Sequence, residues 1–262
     1  MCNTPLPGTF DIVSLWESLI LLLAAGFVGG AMNAAGGGGS FVTLPAMITA
    51  GVHPVVANAS SSVALFPGSV ASATAARRDL APIAGASLRM LVAITAGGGL
   101  IGAALLVNTP SAVFGAVVPW LLLFATVTFA VGRSVGKALR SRLTLPAHTV
   151  LVSQFVLGVY GGYIGGAVGI LMMATWSLLS TADLHELNPA KNLMVGAARA
   201  IAVLFFVATS SISWAATIPV LLAGVAGGWV GARGARRVSS SVLRTGIITV
   251  MAAITTAFFL NR

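Results

Sequence analysis

The residues of this chain best suited to hold a small anion are Asn33, Gly37, Gly38, Gly39, Ser40, Asn58 and Ser61 in its first half. Gly166, Gly169, Lys191, Asn192 and Arg199 join them from the second half. Arg199 leads the set. It falls about ten residues into the apolar run 190–209, hence near mid-membrane at a rise of ~1.5 Å per residue. A charge at that depth is expensive and marks a pathway or a site. The competing reading is a cation satisfied by carbonyl groups of a neighbouring broken helix. Asn192 precedes Arg199 by almost two turns and shares its face. Lys191 opens the same helix, where snorkelling to the interface is the plain alternative to ligand binding.

In the first half, Asn58 with Ser61 and Ser62 falls on one helical face, near Asn33, Ser40 and Ser60. Serines in membrane helices commonly bond their own backbone, whereas an amide in lipid needs several partners. The glycines contribute backbone. A break in an apolar helix bares amide groups at the N-terminus of its second arm, where the dipole favours anions. Gly37–Ser40 and Gly169–Leu171 would supply two such ends. Charge-assisted bonds from Arg to oxyanions exceed neutral ones in strength, so the set suits a carboxylate, sulfite or sulfonate.

Other chemistries find little support. The acidic residues Asp11, Glu17, Asp79, Asp183 and Glu186 all avoid the middle of apolar runs, where proton-coupled pumps usually place a carboxylate or histidine. His53, His148 and His185 lie near run ends and read as solvated rather than as metal ligands. The single cysteine, Cys2, excludes an internal disulfide framework and a cysteine zinc cluster. No nucleophile motif, His-Glu metal pattern or Gly-Lys-Ser/Thr phosphate loop occurs, so neither an enzyme nor a metal or cofactor is expected. An inside-negative potential alone drives an anion outward by ~2.3 kcal/mol per charge per 100 mV.

The elements that must position these residues are written in the composition. Of 262 residues, 57% are hydrophobic and 7% charged, against about 25% charged in soluble domains. Apolar runs fall at about 12–35, 54–76, 82–107, 112–132, 147–168, 190–209, 214–232 and 241–260, each near the ~20 residues a span needs. Shorter pieces, 40–50 and 170–180, follow the breaks Gly36-Gly37-Gly38-Gly39 and Gly165-Gly166-Ala167-Val168-Gly169. The first run lacks a preceding basic region and carries Asp11 and Glu17, which predicts a retained span rather than a cleaved signal.

The net charge of +9 sits in short loops, which reads as orientation by the positive-inside rule and not as a nucleic-acid face, which needs a soluble domain to carry it. Placing Arg77-Arg78, the cluster Arg133, Lys137, Arg140 and Arg142, and Arg233, Arg236 and Arg237 in the cytoplasm makes 12–50 begin and end outside. The segment 147–189 then begins and ends inside. Each is a hairpin broken at glycine, and the halves run in opposite orientation. Gly26-Phe-Val-Gly29-Gly30 resembles Gly158-Val-Tyr-Gly161-Gly162, Gly37 lies opposite Gly169, and Val56-Ala57-Asn58 resembles Ala190-Lys191-Asn192. The expected fold is an all-α polytopic membrane protein of two inverted-topology repeats, each a Gly-broken helical hairpin plus three transmembrane helices. The repeats are 1–132 and 147–262, joined by a cytoplasmic basic linker at 133–146.

With these motifs in view, the chain resembles the TauE/SafE, or sulfite exporter, family of transmembrane transporters. The likeness is carried by Gly26 to Gly39, Ser40-Phe-Val-Thr-Leu-Pro45, Gly51-Val-His-Pro54, Ala57-Asn58-Ala-Ser60, Gly158 to Gly169 and Pro189-Ala-Lys191-Asn192. It departs from internal symmetry where Leu44-Pro45 faces Trp176-Ser177. The resemblance implies a secondary transporter exporting sulfite or an organosulfonate such as sulfoacetate across the bacterial inner membrane. An anion channel, or an exporter of another small organic anion, is the alternative. The expected partners are the lipid bilayer and the small anion; a homo-oligomer is allowed, and nucleic acid is not expected.

Overall fold

The structure, a computed structural model, describes residues 12–35, 38–76, 87–140, 148–166, 168–179, 184–209, 211–234 and 240–260. Gly36, Gly37 and Ala167 of the breaks, Asp11, Asp79 and Asp183, and Arg77-Arg78, Arg142, Arg236 and Arg237 lie outside the described residues. Among those described, the chain forms ten helices and no strand: α1 (Ile12–Ala35), α2 (Ser40–Thr49), α3 (Pro54–Ala76), α4 (Leu88–Asn108), α5 (Ser111–Arg140), α6 (His148–Ile164), α7 (Val168–Leu179), α8 (Leu184–Ala208), α9 (Trp214–Gly234) and α10 (Ser240–Leu260). Among the described residues, five stretches are long and apolar enough to cross a membrane: Leu15–Ala34, Leu88–Asn108, Ser111–Thr128, Pro189–Ala208 and Trp214–Gly234.

Four boundaries depart from expectation by a turn or more. Helix α4 starts at Leu88 rather than near 82, and α6 stops at Ile164 rather than near 168. Helix α5 continues to Arg140, past the 132 expected from hydropathy, because Lys and Arg are good helix formers and extend a helix beyond its apolar part. Helix α8 starts at Leu184 rather than near 190. Its added turn buries Leu187 in one cluster with Leu91, Val150, Met172 and Trp176. Further, α6 and α10 contain only the shorter apolar stretches Thr149–Ile164 and Thr245–Ala257, and α3 is not among the apolar spans. Asn58, Ser60, Ser61, Ser62 and Ser69 lower its hydropathy, yet all are buried. The helix packs on α1, α2, α5, α8 and α9, so its polar face meets protein rather than lipid.

Glycine governs the closest helix contacts. Helix α1 crosses α9, and α6 crosses α4. A Cβ on Gly26 would stand 2.6 Å from the Val220 carbonyl oxygen, and one on Gly30 would overlap that of Gly224. The other crossing repeats the pattern: a Cβ on Gly158 would stand 2.7 Å from the Thr95 oxygen, and one on Gly162 would overlap that of Gly99. Gly227 against Phe27 and Gly102 against Val159 continue the two series. Small residues permit such backbone approach between membrane helices.

Both breaks turn on a left-handed glycine: Gly38 has φ +91° and Gly165 has φ +71°. Such a φ carries little penalty for glycine and ~1–2 kcal/mol for other residues. At the first break the Gly38 carbonyl accepts from Phe41 N–H at 3.0 Å, and the Gly39 carbonyl accepts from Val42 and Thr43 N–H at 3.1 and 3.2 Å. The chain re-enters a helix at once.

Two substitution tests follow from this geometry. Gly30→Val or Gly162→Val should lower thermal stability in detergent by at least ~1–3 kcal/mol, the cost of overpacking. Gly97→Ala, whose Cβ meets nothing within 4 Å, should leave the melting temperature unchanged or raise it. Gly165→Ala should destabilise by ~1–2 kcal/mol, whereas a Cβ at Gly169, whose backbone is not left-handed, would meet the flexible Lys191 stem at 3.3 Å and Val195 Cγ2 at 3.4 Å, so Gly169→Ala should cost less. Equal melting temperatures for the two alanine variants at 165 and 169 would contradict the elbow geometry.

Candidate anion site at the meeting of the two breaks

The second break lies against the start of α2. A Cβ on Gly166 would stand 3.3 Å from Phe41 Cε2 and 3.6 Å from Ser40 Cβ. A Cβ on Gly165 would stand 3.0 Å from Ser62 Oγ and 3.9 Å from Ser40 Oγ. The N-terminus of one return arm therefore meets the elbow of the other hairpin.

Arg199 reaches the same point from α8. It is 5% exposed. One terminal nitrogen donates to the Gly165 carbonyl at 2.8 Å and the other to Ser69 Oγ at 2.7 Å. The Gly165 carbonyl lies just beyond the C-terminal end of α6, where the helix dipole favours a cation. The carbonyl-bound cation weighed from sequence is thus part of the arrangement. Further N–H donors of the guanidinium remain beyond these two bonds. Glu17, exposed near the start of α1, is the acidic residue among the described side chains, and no carboxylate among them faces Arg199. A buried charge without a counter-charge is costly.

Ser40, the first residue of α2, is 3% exposed, and its Oγ has no hydrogen-bond partner. Asn58 is 1% exposed; its Nδ2 donates to the Tyr163 carbonyl at 2.7 Å while its Oδ1 is unpartnered. Ser61 Oγ shares a 2.6 Å bond with Thr43 Oγ1, so Ser61 ties α3 to α2. Gly38 and Gly39 are buried at the first elbow. Asn33 is half-buried, its amide nitrogen 3.4 Å from where a Gly68 Cβ would be. Lys191 is half-buried with its stem along Gly169. Asn192 is half-buried beside it, and no hydrogen bond among the described residues brings it to the meeting point. Gly37 lies outside the described residues.

Ser40, Ser62, Ser69, Gly165, Gly166 and Arg199 thus form one group, with Ser61 and Asn58 on the same α3 helix. Sequence reasoning left out Ser69. Its signal was the seven-residue step from Ser62 to Ser69, two turns along one face. Sequence reasoning also missed a buried network behind the second return arm. Gln154 Nε2 donates to Thr95 Oγ1 at 2.6 Å, and Trp176 Nε1 donates to Gln154 Oε1 at 3.0 Å. Thr95 Oγ1 in turn donates to the Leu91 carbonyl at 2.6 Å. An apolar groove of about 600 Å³ lies elsewhere, between α1, α2, α5 and α10. Leu21, Val28, Val42, Pro119 and Ile254 line it without a charged side chain, so it offers an anion nothing.

Comparison with known proteins points to a membrane transporter. The sulfite exporter TauE/SafE family profile matches residues 22–258. A probable membrane transporter protein, ORF9, of a Sinorhizobium species is 27% identical over 90% of each chain. The probable membrane transporter protein YfcA of Escherichia coli K12 is 24% identical over 94% of this chain and 92% of its own. A probable membrane transporter protein of Haemophilus influenzae is 24% identical over 92% and 94%. No solved structure matches significantly. The matched profile covers nearly all the helices described above, and the chain belongs to the sulfite exporter TauE/SafE family of membrane transporters.

Proposed function

We propose that this transporter is a secondary carrier that exports sulfite, or a small organosulfonate such as sulfoacetate, across a bacterial inner membrane. The anion binds where the two breaks meet. The observation that carries the reading is Arg199. Its guanidinium is buried, faces no carboxylate among the described residues and stands with the unpartnered Ser40 hydroxyl around Gly165. An oxyanion bound there supplies the missing negative charge and the missing partner together. Family membership supports the sulfur oxyanion as cargo.

The carrier architecture we favour is two inverted repeats, α1–α5 and α6–α10. Support comes from packing that keeps its form when the repeats are exchanged. Helix α1 on α9 becomes α6 on α4, and Gly30 against Gly224 becomes Gly162 against Gly99. Lengths agree as well. Helix α2 has 10 residues and α7 has 12, about 15 and 18 Å at ~1.5 Å each, so each return arm reaches about halfway through a ~30 Å hydrocarbon layer. We place the basic ends of α5 and α9 in the cytoplasm. Arg233 lies 3.4 Å over the Trp229 ring near the end of α9, a pairing suited to the membrane interface. Asn33, Gly37, Gly38, Gly39, Ser40, Asn58, Ser61, Gly166, Gly169, Lys191, Asn192 and Arg199 remain the proposed binding set, with Ser62 and Ser69 added.

The test is sulfite flux from proteoliposomes at clamped proton gradient. Arg199→Ala should abolish flux in protein that still inserts, and Arg199→Lys should rescue poorly because the planar fork is lost. Wild-type flux in the alanine variant would refute the site. Ser40→Ala should weaken anion binding by about tenfold, the worth of one hydrogen bond to a charged group, as read by titration with sulfite. An inside-negative potential should accelerate outward flux; flux indifferent to potential would count against electrically driven export. Saturation and counterflow identify a carrier, and their absence identifies a channel.

A further inference from the structure

Tyr163, the penultimate residue of α6, joins the candidate site to one end of the molecule. Its carbonyl accepts the Asn58 amide at 2.7 Å. Two residues on, the Gly165 carbonyl accepts from Arg199. On its other side the Tyr163 hydroxyl and Thr109 Oγ1 share a 3.3 Å hydrogen bond. Its ring meets Phe114 edge-on, with centroids 5.7 Å apart at 75°, and Phe114 is fully buried. Thr109 belongs to the uncharged turn between α4 and α5. The other uncharged turn, between α8 and α9, is tied in alongside: Ser213 N–H donates to Ser60 Oγ at 2.9 Å. At the end that carries the uncharged turns, the α3–α5 region is thus joined to α6 and to the α8–α9 turn by polar bonds and an aromatic contact.

The opposite end is built differently. The glycine series that pairs Gly30 with Gly162 pairs Ala31 with Tyr163. Ala31 lies against Gly231, whose Cβ would stand 2.9 Å from the Ala31 methyl. A methyl can neither bond a threonine nor pack edge-on to a ring. The two ends of the pathway are unequal at this position.

We propose that Tyr163 is the gate at the end carrying the uncharged turns. Seated between Phe114 and Thr109, it shuts the meeting point of the breaks from that side, and it leaves this seat when the anion passes. Asn58 couples gate to site, because its amide nitrogen bonds the gate's own carbonyl while its buried oxygen has no partner among the described residues. The gate rests on the transport reading above, and its test reads access rather than flux.

The test uses a Cys2→Ser background carrying Ser62→Cys as reporter, in sealed vesicles of each orientation. A cysteine at the exposed Asn108 assigns the faces. The probe is a membrane-impermeant methanethiosulfonate bearing a sulfonate. With Tyr163 present, reaction from the uncharged-turn face should be slow. Tyr163→Ala should speed it by about tenfold or more, since a hydrogen bond and an aromatic pair both disappear. Tyr163→Phe, which keeps the ring, should speed it by about threefold. Reaction from the basic face should change in neither. An unchanged rate in Tyr163→Ala, or fast reaction from the uncharged-turn face with Tyr163 intact, overturns the gate. Should the alanine variant fail to fold, an unchanged rate in Tyr163→Phe overturns it alone. Absence of sulfite binding to the unsubstituted protein, with these rates as expected, would sink the cargo and leave the gate standing.

Discussion

Backbone released from a helix inside an apolar medium must find a partner, and the rest of this structure answers to that demand. No water is present in hydrocarbon to take an orphaned carbonyl or amide. The first break solves the problem locally: Gly38 and Gly39 carbonyls accept from the first turn of α2, and Thr43 adds its hydroxyl at 3.3 Å. The second break solves it at a distance, where Arg199 arrives from α8 to hold the Gly165 carbonyl. One side chain therefore closes a polar gap in the fold and carries into the interior a positive charge that faces no carboxylate among the described residues. In the proposed reading, structural need and ligand binding are two aspects of the same guanidinium.

Bringing Arg199 and Ser69 to that carbonyl requires helices that approach closely. The glycine contacts of α1 with α9 and of α6 with α4 provide the approach. They clamp the hairpins between α3, α4, α8 and α9. Side chains larger than hydrogen at Gly26, Gly30, Gly158 or Gly162 would push the hairpin arms outward and carry the elbows away from α3 and α8. The polar centre thus depends on packing along the flanks, as expected where dispersion and close contact replace the hydrophobic effect between membrane helices.

Much of this was legible in the amino-acid order. Runs 12–35 and 54–76 coincide with α1 and α3, and the paired glycine breaks fall where the helices stop. Hydropathy and glycine report these directly, because both act locally. Helix ends carrying charge were harder: α5 runs on through Arg133 and Lys137, since apolar content marks where a helix is immersed and not where it stops. Tyr163 and the Gln154–Thr95–Trp176 network were invisible for another reason. Each matters through a partner distant in the chain, and a lone tyrosine or glutamine in an apolar run carries no local mark of its partner; for Ser69 the step from Ser62 gave the face but not the partner, Arg199. The glycine series that aligns the halves sets Leu22 opposite Gln154 and Leu44 opposite Trp176, and both leucines are buried in an apolar cluster. Likeness in glycine spacing therefore gave no guide to the polarity of side chains.

The hydroxyl-rich face of α3 has a consequence for biogenesis. Two of its buried serines, Ser60 and Ser69, bond Ser213 and Arg199, parts of the chain that leave the ribosome more than a hundred residues later. During that interval α3 is a poor solute for lipid, and nothing yet made can shield it fully. Partitioning of the nascent chain must await a later partner or a protected environment, so the half-translated polypeptide is the fragile species. A stop before Leu184 would leave Ser60 and Ser69 of α3 without Ser213 and Arg199, their partners in the finished fold.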